Sequence, residues 1–425
     1  MSDQRNDILC IHYYFPPLRS TAIIRNYFIS RTFATFFQKV HILTSDNHKK
    51  FPNEIRPIPE NVFVNDIYTL DYRLLLANKS DKDAHLSSAN KRGRLYKYLL
   101  KIQKSFPFNL LLAEGNVIYI INAYRKAKKV IQENNIDTIY TSFGPYADHY
   151  VGYLLKSKYP HIRWIADFRD LQIEPIYKNV IWEGLQYRIE KMILTKADLI
   201  TCISNGFVDQ LKKYNRPTIP VLRGVELRKA SKQYEKFTIA YTGSLYFDYR
   251  DPRPLFECLR NLIEEGQLHA NELDIIYAGR DGQQFGSWVD EYNLSKNFTD
   301  RGMLTNHEAK EIQNKSHINL LLTSSSPELK GVLTGKIFEY LEALNPILCL
   351  ISGDKDPEFE LLFDELSAGT VVYAPQQTKG KMRNFILDKY REWLATHRVQ
   401  SSLNTTAIMK KYGWHQQVQK MFEMK

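Results

Sequence analysis

The chain reads as an α/β protein of two doubly wound domains, each built on a parallel sheet, facing each other across a cleft. Three observations predict this. Short β-branched runs alternate with longer amphipathic segments, the pattern of strand–helix–strand units. The alternation occurs in two series, separated by the polar stretch "VELRKASKQYEK". A length of 425 residues exceeds one ordinary core and suggests two domains of roughly 200 residues each.

In the first series "DILCIH" reads as the first strand. The loop "YYFPPLRS" follows, its prolines breaking regular structure, and then a helix over 21–37. "KVHILT" reads as the second strand, and "TIYTSF", "IRWIADF" and "LITCIS" as later ones, each followed by a helical pattern. In the second series "FTIAYTG", "LDIIYAG", "INLLLTS", "PILCLIS" and "GTVVYA" again alternate with helices. A charged linker over 226–236 sets the expected domains at 1–225 and 226–404, with 405–425 a terminal helix returning to the first domain. That helix carries Trp414, Val418, Met421 and Phe422 at helical spacing. One segment falls outside the rhythm: Arg92, Arg94, Lys97, Lys101 and Lys104 interleave with Leu95, Tyr98, Leu99 and Ile102.

Hydrophobic residues at 44% and charged residues at 25% are the composition of a soluble globular protein. No apolar run approaches the ~18 residues of a membrane span. Charges near the start, "MSDQRNDILCIH", occupy the place of a signal peptide's apolar region, so an untargeted cytoplasmic chain is expected. Cys10, Cys202, Cys258 and Cys349 lack CxxC spacing and are expected to be buried free thiols. No structural metal is expected. The formal charge of +11 favours a polyanionic partner: nucleic acid, an anionic membrane surface or phosphorylated small molecules. The cations are dispersed and no nucleic-acid motif is present, which argues against the first. A dinucleotide-dependent oxidoreductase is disfavoured because no GxGxxG follows the first strand.

In doubly wound sheets ligands bind beyond the carboxyl ends of the strands. The stretch "GVLTGKIFEYLEALNPIL" has the marks of such a site. Gly331 and Gly335 flank a short loop that opens a helix, and the free amides of a helix start suit an anion. Lys336 in the first turn opposes the helix dipole, a conflict that a bound diphosphate would remove. Glu339 lies one turn on along the same face, where it can accept hydrogen bonds from a ribose. An ordinary amphipathic helix with a Lys336–Glu339 surface pair would show the same spacing.

This stretch resembles the carboxyl-proximal motif of GT-B glycosyltransferases, whose two domains are Rossmann-like, and particularly of the retaining family-four group. The resemblance implies that the loop amides of Leu333 and Thr334 bind a donor diphosphate and that Glu339 binds the nucleotide ribose. Glu339 matches the second Glu of the family's Glu-x7-Glu signature. The first falls at Gly331, with Glu328 out of register. "IHYYFPP", ending at Pro17, is similar to the family's first-strand loop, but Leu18, Arg19, Ser20 and Thr21 replace its glycines. Arg19 either supplies charge there or is simply solvated. "WIADFRD" resembles a mid-domain strand end, with Asp167, Arg169 and Asp170 expected exposed beyond the sheet, as acceptor-side groups or as a capped loop. "IAYTGSLYFDYRDPRPL" is similar to the opening of the donor domain; Gly243 is kept, Ser244 replaces a cation and Arg250 keeps the second. "YAGRDG" offers Gly279 and Arg280, as a donor contact or a plain turn. "DRGMLTNHEAKEI" resembles the segment whose backbone reads the base, at Gly302, Met303 and Leu304.

The implied activity is transfer of a sugar from a UDP- or GDP-linked donor, with no cofactor and no metal. Negative charge builds on a phosphate that leaves readily, so fixed positive charge and aimed amides matter more than a carboxylic acid. Lys336 and Arg250 are the catalytic candidates, and no nucleophile is nominated. The resemblance further implies a lipid-linked or saccharide acceptor in bacterial surface polysaccharide assembly, such as lipopolysaccharide or capsule, at the inner face of the cytoplasmic membrane. The basic segment around Lys101 suits an anionic bilayer surface or a solvated helix face. Because Gly331, Ser244 and the proline loop depart from the pattern, a weakly active or non-catalytic GT-B protein that binds nucleotide or a partner is the alternative.

Overall fold

Runs of Val, Ile, Leu and Tyr without polar interruption become strands covered on both faces, as parallel sheets require. The protein is represented by a computed structural model that describes residues 5–18, 23–49, 51, 54–70, 98, 101–112, 114–173, 180–245, 250–325, 335–374 and 378–423. Its chain divides into two units, Met1–Leu222 with Gln417–Lys425, and Arg223–Gln416.

In the first unit, β1 (Asp7–Ile11), β2 (Val40–Ser45), β3 (Val62–Ile67), β4 (Ile136–Ser142), β5 (Arg163–Phe168), β6 (Leu199–Cys202) and β7 (Thr218–Pro220) form one sheet, ordered β3-β2-β1-β4-β5-β6-β7. Every neighbouring pair in it is parallel. The described helices are α1 (Ile23–Phe33), α2 (Phe108–Leu112), α3 (Val117–Glu133), α4 (Ala147–Lys158), α5 (Glu183–Leu194) and α6 (Asn205–Leu211). Helix α1 ends at Phe33, short of the expected 37, and a turn follows it. Trp164 on β5 fixes how closely α4 lies on the sheet: a Cβ at Gly152 would come within 2.6 Å of the indole. Tyr119, Ala123 and Ala127 of α3, Val151 and Leu155 of α4, and Ile193 and Leu194 of α5 join one core over this face.

In the second unit, β8 (Phe237–Thr242), β9 (Leu273–Ala278), β10 (Phe298–Asp300), β11 (Ile318–Ser325), β12 (Ile347–Gly353) and β13 (Gly369–Ala374) form a sheet ordered β10-β9-β8-β11-β12-β13. It too is parallel throughout. Around it run α7 (Arg253–Glu264), α8 (Gly282–Glu291), α9 (Asn306–Lys315), α10 (Gly335–Ala343), α11 (Pro357–Leu366), α12 (Arg383–Thr396) and α13 (Thr405–Tyr412). Thr305 and Glu308 close a reciprocal capping box that fixes where α9 starts. The last helix, α14 (Trp414–Glu423), crosses the division between the units. Within the first unit its Phe422 ring meets Phe33 and Phe37, and Arg163 donates to the Met421 carbonyl.

Both sheets reverse their winding beside their first strand, between β1 and β4 and between β8 and β11. These are the switch points at which doubly wound sheets bind ligands. All four cysteines are buried and free. Among the described residues no helix is long and apolar enough to cross a membrane.

The stretch that opens the second unit is pinned at three places. Val225 bridges to Gly413, the Arg228 amide donates to the Glu342 carbonyl, and Gly224 lies against the Trp414 ring, where a Cβ would overlap the indole. Gly224→Ala should therefore lower the unfolding free energy by about 1–3 kcal/mol, the scale of an overpacked site, as read from denaturant melts.

Candidate functional site

The carboxyl ends of β8 and β9 meet the start of α10, and glycines make the approach close. Gly243 follows β8 at φ +147°, a conformation L side chains rarely adopt. Its amide donates to the Ala278 carbonyl at 2.8 Å and its own carbonyl accepts from the Tyr277 hydroxyl at 3.0 Å. A Cβ at Gly279 would overlap that Gly243 carbonyl, so the β9 turn needs glycine. The Lys336 chain runs over Gly243, its Cε 3.5 Å from where a Cβ would sit. The Ser244 carbonyl accepts from Tyr241 and from Arg250 Nη1, at 2.7 and 2.8 Å, drawing Arg250 to the same turn. Leu245 donates its amide to Asp281 at 2.9 Å, which ties the β8 loop to the start of α8.

Glu339 sits at the centre of this arrangement, buried, with both carboxylate oxygens engaged. Oε2 accepts from Lys336 at 2.7 Å and from Gln313 at 3.2 Å, and Oε1 accepts from Arg223 at 3.1 Å. Burial alone would raise its pKa. The charges of Lys336 and Arg223, with the hydrogen bonds from Lys336 and Gln313, outweigh burial and hold it at about 2. Gln313 is fixed in turn by Thr242 Oγ1 at 2.8 Å. A second buried carboxylate one turn on, Glu342, pairs with Arg228 at 3.0 Å, Lys310 at 3.5 Å and Arg223 at 3.6 Å. Arg228 also reaches the Lys310 carbonyl, Gln313, Asn314 and the Glu339 carbonyl, so one guanidinium fastens α9 to α10. The anions are thus neutralised from within, and the 31%-exposed Lys336 side chain stands at the sheet's carboxyl edge.

Of the residues singled out in the sequence, Gly243, Ser244, Gly279, Arg250, Lys336 and Glu339 come together here. Arg280 is half exposed, with Asp281 at 3.8 Å. Gly302, Met303 and Leu304 follow the edge strand β10: the Gly302 amide binds Asp300, Met303 is exposed, and Leu304 packs on Ala240, Ile276 and Ile312. Gly331, Leu333, Thr334, Arg19, and Arg92, Arg94 and Lys97 of the basic segment lie outside the described residues. Arg223, Arg228 and Gln313 were not anticipated. The only local signal was an Arg–Gly pair just before the charged linker.

In the first unit the "WIADFRD" expectation needs correction. Asp167 is not exposed beyond the sheet; it lies within β5, fully buried, and binds Arg25 of α1 through both oxygens at 2.7 and 2.8 Å and Thr201 at 2.6 Å. Its charge is spent on holding α1 to the sheet. Arg169 and Asp170 do follow the strand. Arg169 turns back to the carbonyls of Phe143 and Gly144, both at 2.6 Å, and lies over the Tyr14 ring. Pro17 accepts the Glu54 amide at 2.6 Å. Two further acids gather at the β1/β4 switch point. Asp148 accepts from the Tyr13 amide and the Tyr119 hydroxyl, and burial raises it to about 8 against those bonds. Burial likewise raises Glu114 to about 7, opposed by Arg169.

No protein-family profile matches the chain, and no curated protein matches it. Solved structures do. Sucrose-phosphate synthase from Thermosynechococcus elongatus is 14% identical with a TM-score of 0.57, covering 99% of this chain and 98% of that one. An E. coli trehalose-6-phosphate structure bound with UDP-2-fluoro glucose is 12% identical, TM-score 0.53, covering 98% of each chain. A mutant of S. aureus TarM in complex with Fondaparinux, alpha-GlcNAc-glycerol and UDP is 10% identical, TM-score 0.53, covering 98% of this chain and 99% of that one. At such identities the likeness establishes the fold: the GT-B architecture of two Rossmann-like, doubly wound domains.

A carboxyl held at about 2 in the fold, against an ordinary 4.5, stabilises the protein fully above the ordinary value and loses that contribution as pH falls through 2. Glu339→Gln should lower stability at neutral pH and flatten the acid limb of the stability–pH curve by up to about one proton's worth of slope. Denaturant melts from neutral pH down to the acid end measure this.

Proposed function

We propose that this chain is a glycosyltransferase that takes a sugar from a nucleoside-diphosphate donor held on the second unit and passes it to a hydroxyl acceptor held on the first. One observation carries the reading: at the carboxyl edge of β8 and β9, glycine turns open the backbone while Lys336 and Arg250 converge on it. In the transfer the bond from the anomeric carbon to the phosphate oxygen breaks and its electron pair stays on the diphosphate. A cation already in place stabilises that charge without reorganisation. Lys336 has one ammonium hydrogen committed to Glu339, which fixes its position while leaving donors for a phosphate. Arg250 adds a planar fork suited to phosphate oxygens. Glu339, kept ionised, accepts from a ribose hydroxyl. Retention, metal independence, and a lipid-linked or saccharide acceptor of surface polysaccharide assembly complete the proposal and rest on the motif resemblance. Two of the three solved structures named above were bound with a uridine nucleotide or its sugar, in accord with a UDP-linked donor.

A second reading, a nucleotide-binding protein of little or no activity, draws on Ser244 and Gly331 standing where the family pattern has charged residues, and on Glu339 already having both oxygens occupied.

Incubation with a panel of UDP- and GDP-sugars, reading nucleotide release alongside calorimetric binding of the free diphosphates, tests both. Release above the buffer rate supports transfer; binding without release favours the second reading; no binding of any nucleoside diphosphate ends both. Lys336→Ala should weaken diphosphate binding by about 1.5–3 kcal/mol, the scale of a charge-assisted hydrogen bond. An unchanged dissociation constant would remove Lys336 from the site.

A further inference from the structure

Large apolar side chains left facing water are scattered singly over the second unit, at Met303, Leu361, Leu394 and Met409. Isolated residues of that kind are ordinary. The first unit differs. Because its strands are parallel, the helices that connect them begin at the sheet's carboxyl edge, and the exposed apolar residues concentrate there. On α5 and the residue before it, Trp182 is 48% exposed and Leu185 43%, with Met192 further along the same helix, also exposed. Phe108 of α2 stacks on Trp182, ring centroids 6.3 Å apart, joining α2 to that surface. Leu111 on α2 is 60% exposed. Past it, α3 opens with Val117, Ile118 and Ile121 facing outward. Asn116 and Asn122 then bind the carbonyls of Leu70 and Tyr68, at 2.6 and 3.2 Å, bringing two more exposed apolar residues alongside α3.

Cations are interleaved with these residues. Lys101 and Lys104 precede α2, and Arg188 and Lys191 lie on α5; the exposed acids against them are Glu183 on that helix and Asp170 near Lys104, Glu190 being buried. Such a surface matches neither a soluble face nor a protein partner of the chain's own kind. A two-fold contact with a second copy would set Lys101, Lys104 and Arg188 against themselves, a like-charge juxtaposition. Aromatic and aliphatic side chains ringed by Lys and Arg instead suit the boundary between anionic headgroups and acyl chains.

We infer that α2, the start of α3 and the start of α5 form a docking face for an anionic lipid bilayer, with Trp182, Leu185, Leu111 and Ile121 entering the headgroup–acyl boundary. Lys101, Lys104 and Arg188 meet the headgroups. The inference rests on the lipid-linked acceptor of the proposed function, yet it requires no donor chemistry, so the two can fail separately.

The test is cosedimentation of the full chain with vesicles of phosphatidylcholine alone or with about one-third phosphatidylglycerol. The chain should bind the anionic vesicles far better than the neutral ones and be largely released at about 0.5 M salt. Trp182→Ser combined with Leu185→Ser should lower partitioning about tenfold or more. Lys101→Glu with Arg188→Glu should abolish the preference for anionic lipid. Leu361→Ser, at a still more exposed apolar site on the second unit, should bind like the unchanged chain. Thermal melts confirm that each variant is folded. The inference is overturned if the folded chain ignores anionic vesicles, or if Trp182→Ser/Leu185→Ser partitions undiminished. It is equally overturned if ultracentrifugation shows a dimer that the same double substitution dissolves, which would assign the face to a second copy.

Discussion

A carboxylate withdrawn from water must find partners or give up its charge, and Glu339 is withdrawn almost completely. Its partners come from three places: Lys336 on its own helix, Arg223 at the start of the unit, and Gln313 on α9. Meeting that one requirement dictates much else. Arg223 must lie beside α10, so the stretch after Leu222 is held there. Gln313 must face the same carboxylate, so α9 and α10 take a fixed spacing, reinforced where Arg228 spans Gln313, Asn314 and Glu342. Breaking a buried pair by removing one member leaves the other uncompensated, which is why such groups act as a unit.

The same constraint settles the local conflict on α10. A lysine in the first turn of a helix opposes its dipole, but a Glu one turn on offsets that locally. The pair is therefore a structural ion pair, with Glu339 buried rather than at the surface, and it orients the lysine. Its orientation is the useful part. The ammonium is carried over Gly243, the one residue type that lets the backbone come this near at that conformation. An anion arriving at that edge meets a cation that needs no rearrangement.

Most of the fold was legible because buried parallel strands are continuous apolar runs. "DILCI", "FTIAYT" and "LDIIYA" stand out against helices whose polarity alternates. The strands that were not singled out are edge strands or neighbours of short runs. β3 is "VFVNDI" with half its positions exposed, β7 is three half-buried residues ending in Pro220, and β10 is three residues long. An edge strand needs one apolar face at most, so it leaves little pattern to find. Within the site, the spacing of Lys336 and Glu339 was legible since helical geometry sets which residues meet at three apart. Arg223 lies 116 residues before Glu339 and Gln313 lies 26 before it. Only the topology brings them to one point, and no local period records it.

Asp167 shows how a charged residue in a strand can be misread. A run of Asp, Arg and Asp after apolar residues suggests the strand has ended, yet β5 continues through Phe168 with Asp167 inside it. What permits an ionised carboxylate there is Arg25, 142 residues earlier on α1, whose guanidinium meets both oxygens while Thr201 supplies a third hydrogen bond. Nearby, His12 just after β1 and His149 on α4 are kept neutral by burial despite the Asp167 charge, both near 3. The Arg25–Asp167 pair is placed where it locks α1 over the carboxyl half of the sheet. The loops beyond β1, β4 and β5 are joined to one another above it, where Arg169 lies over the Tyr14 ring and donates to the carbonyls of Phe143 and Gly144. Asp167, which the sequence suggested would stand beyond the sheet, instead ties α1 to the strands beneath those loops.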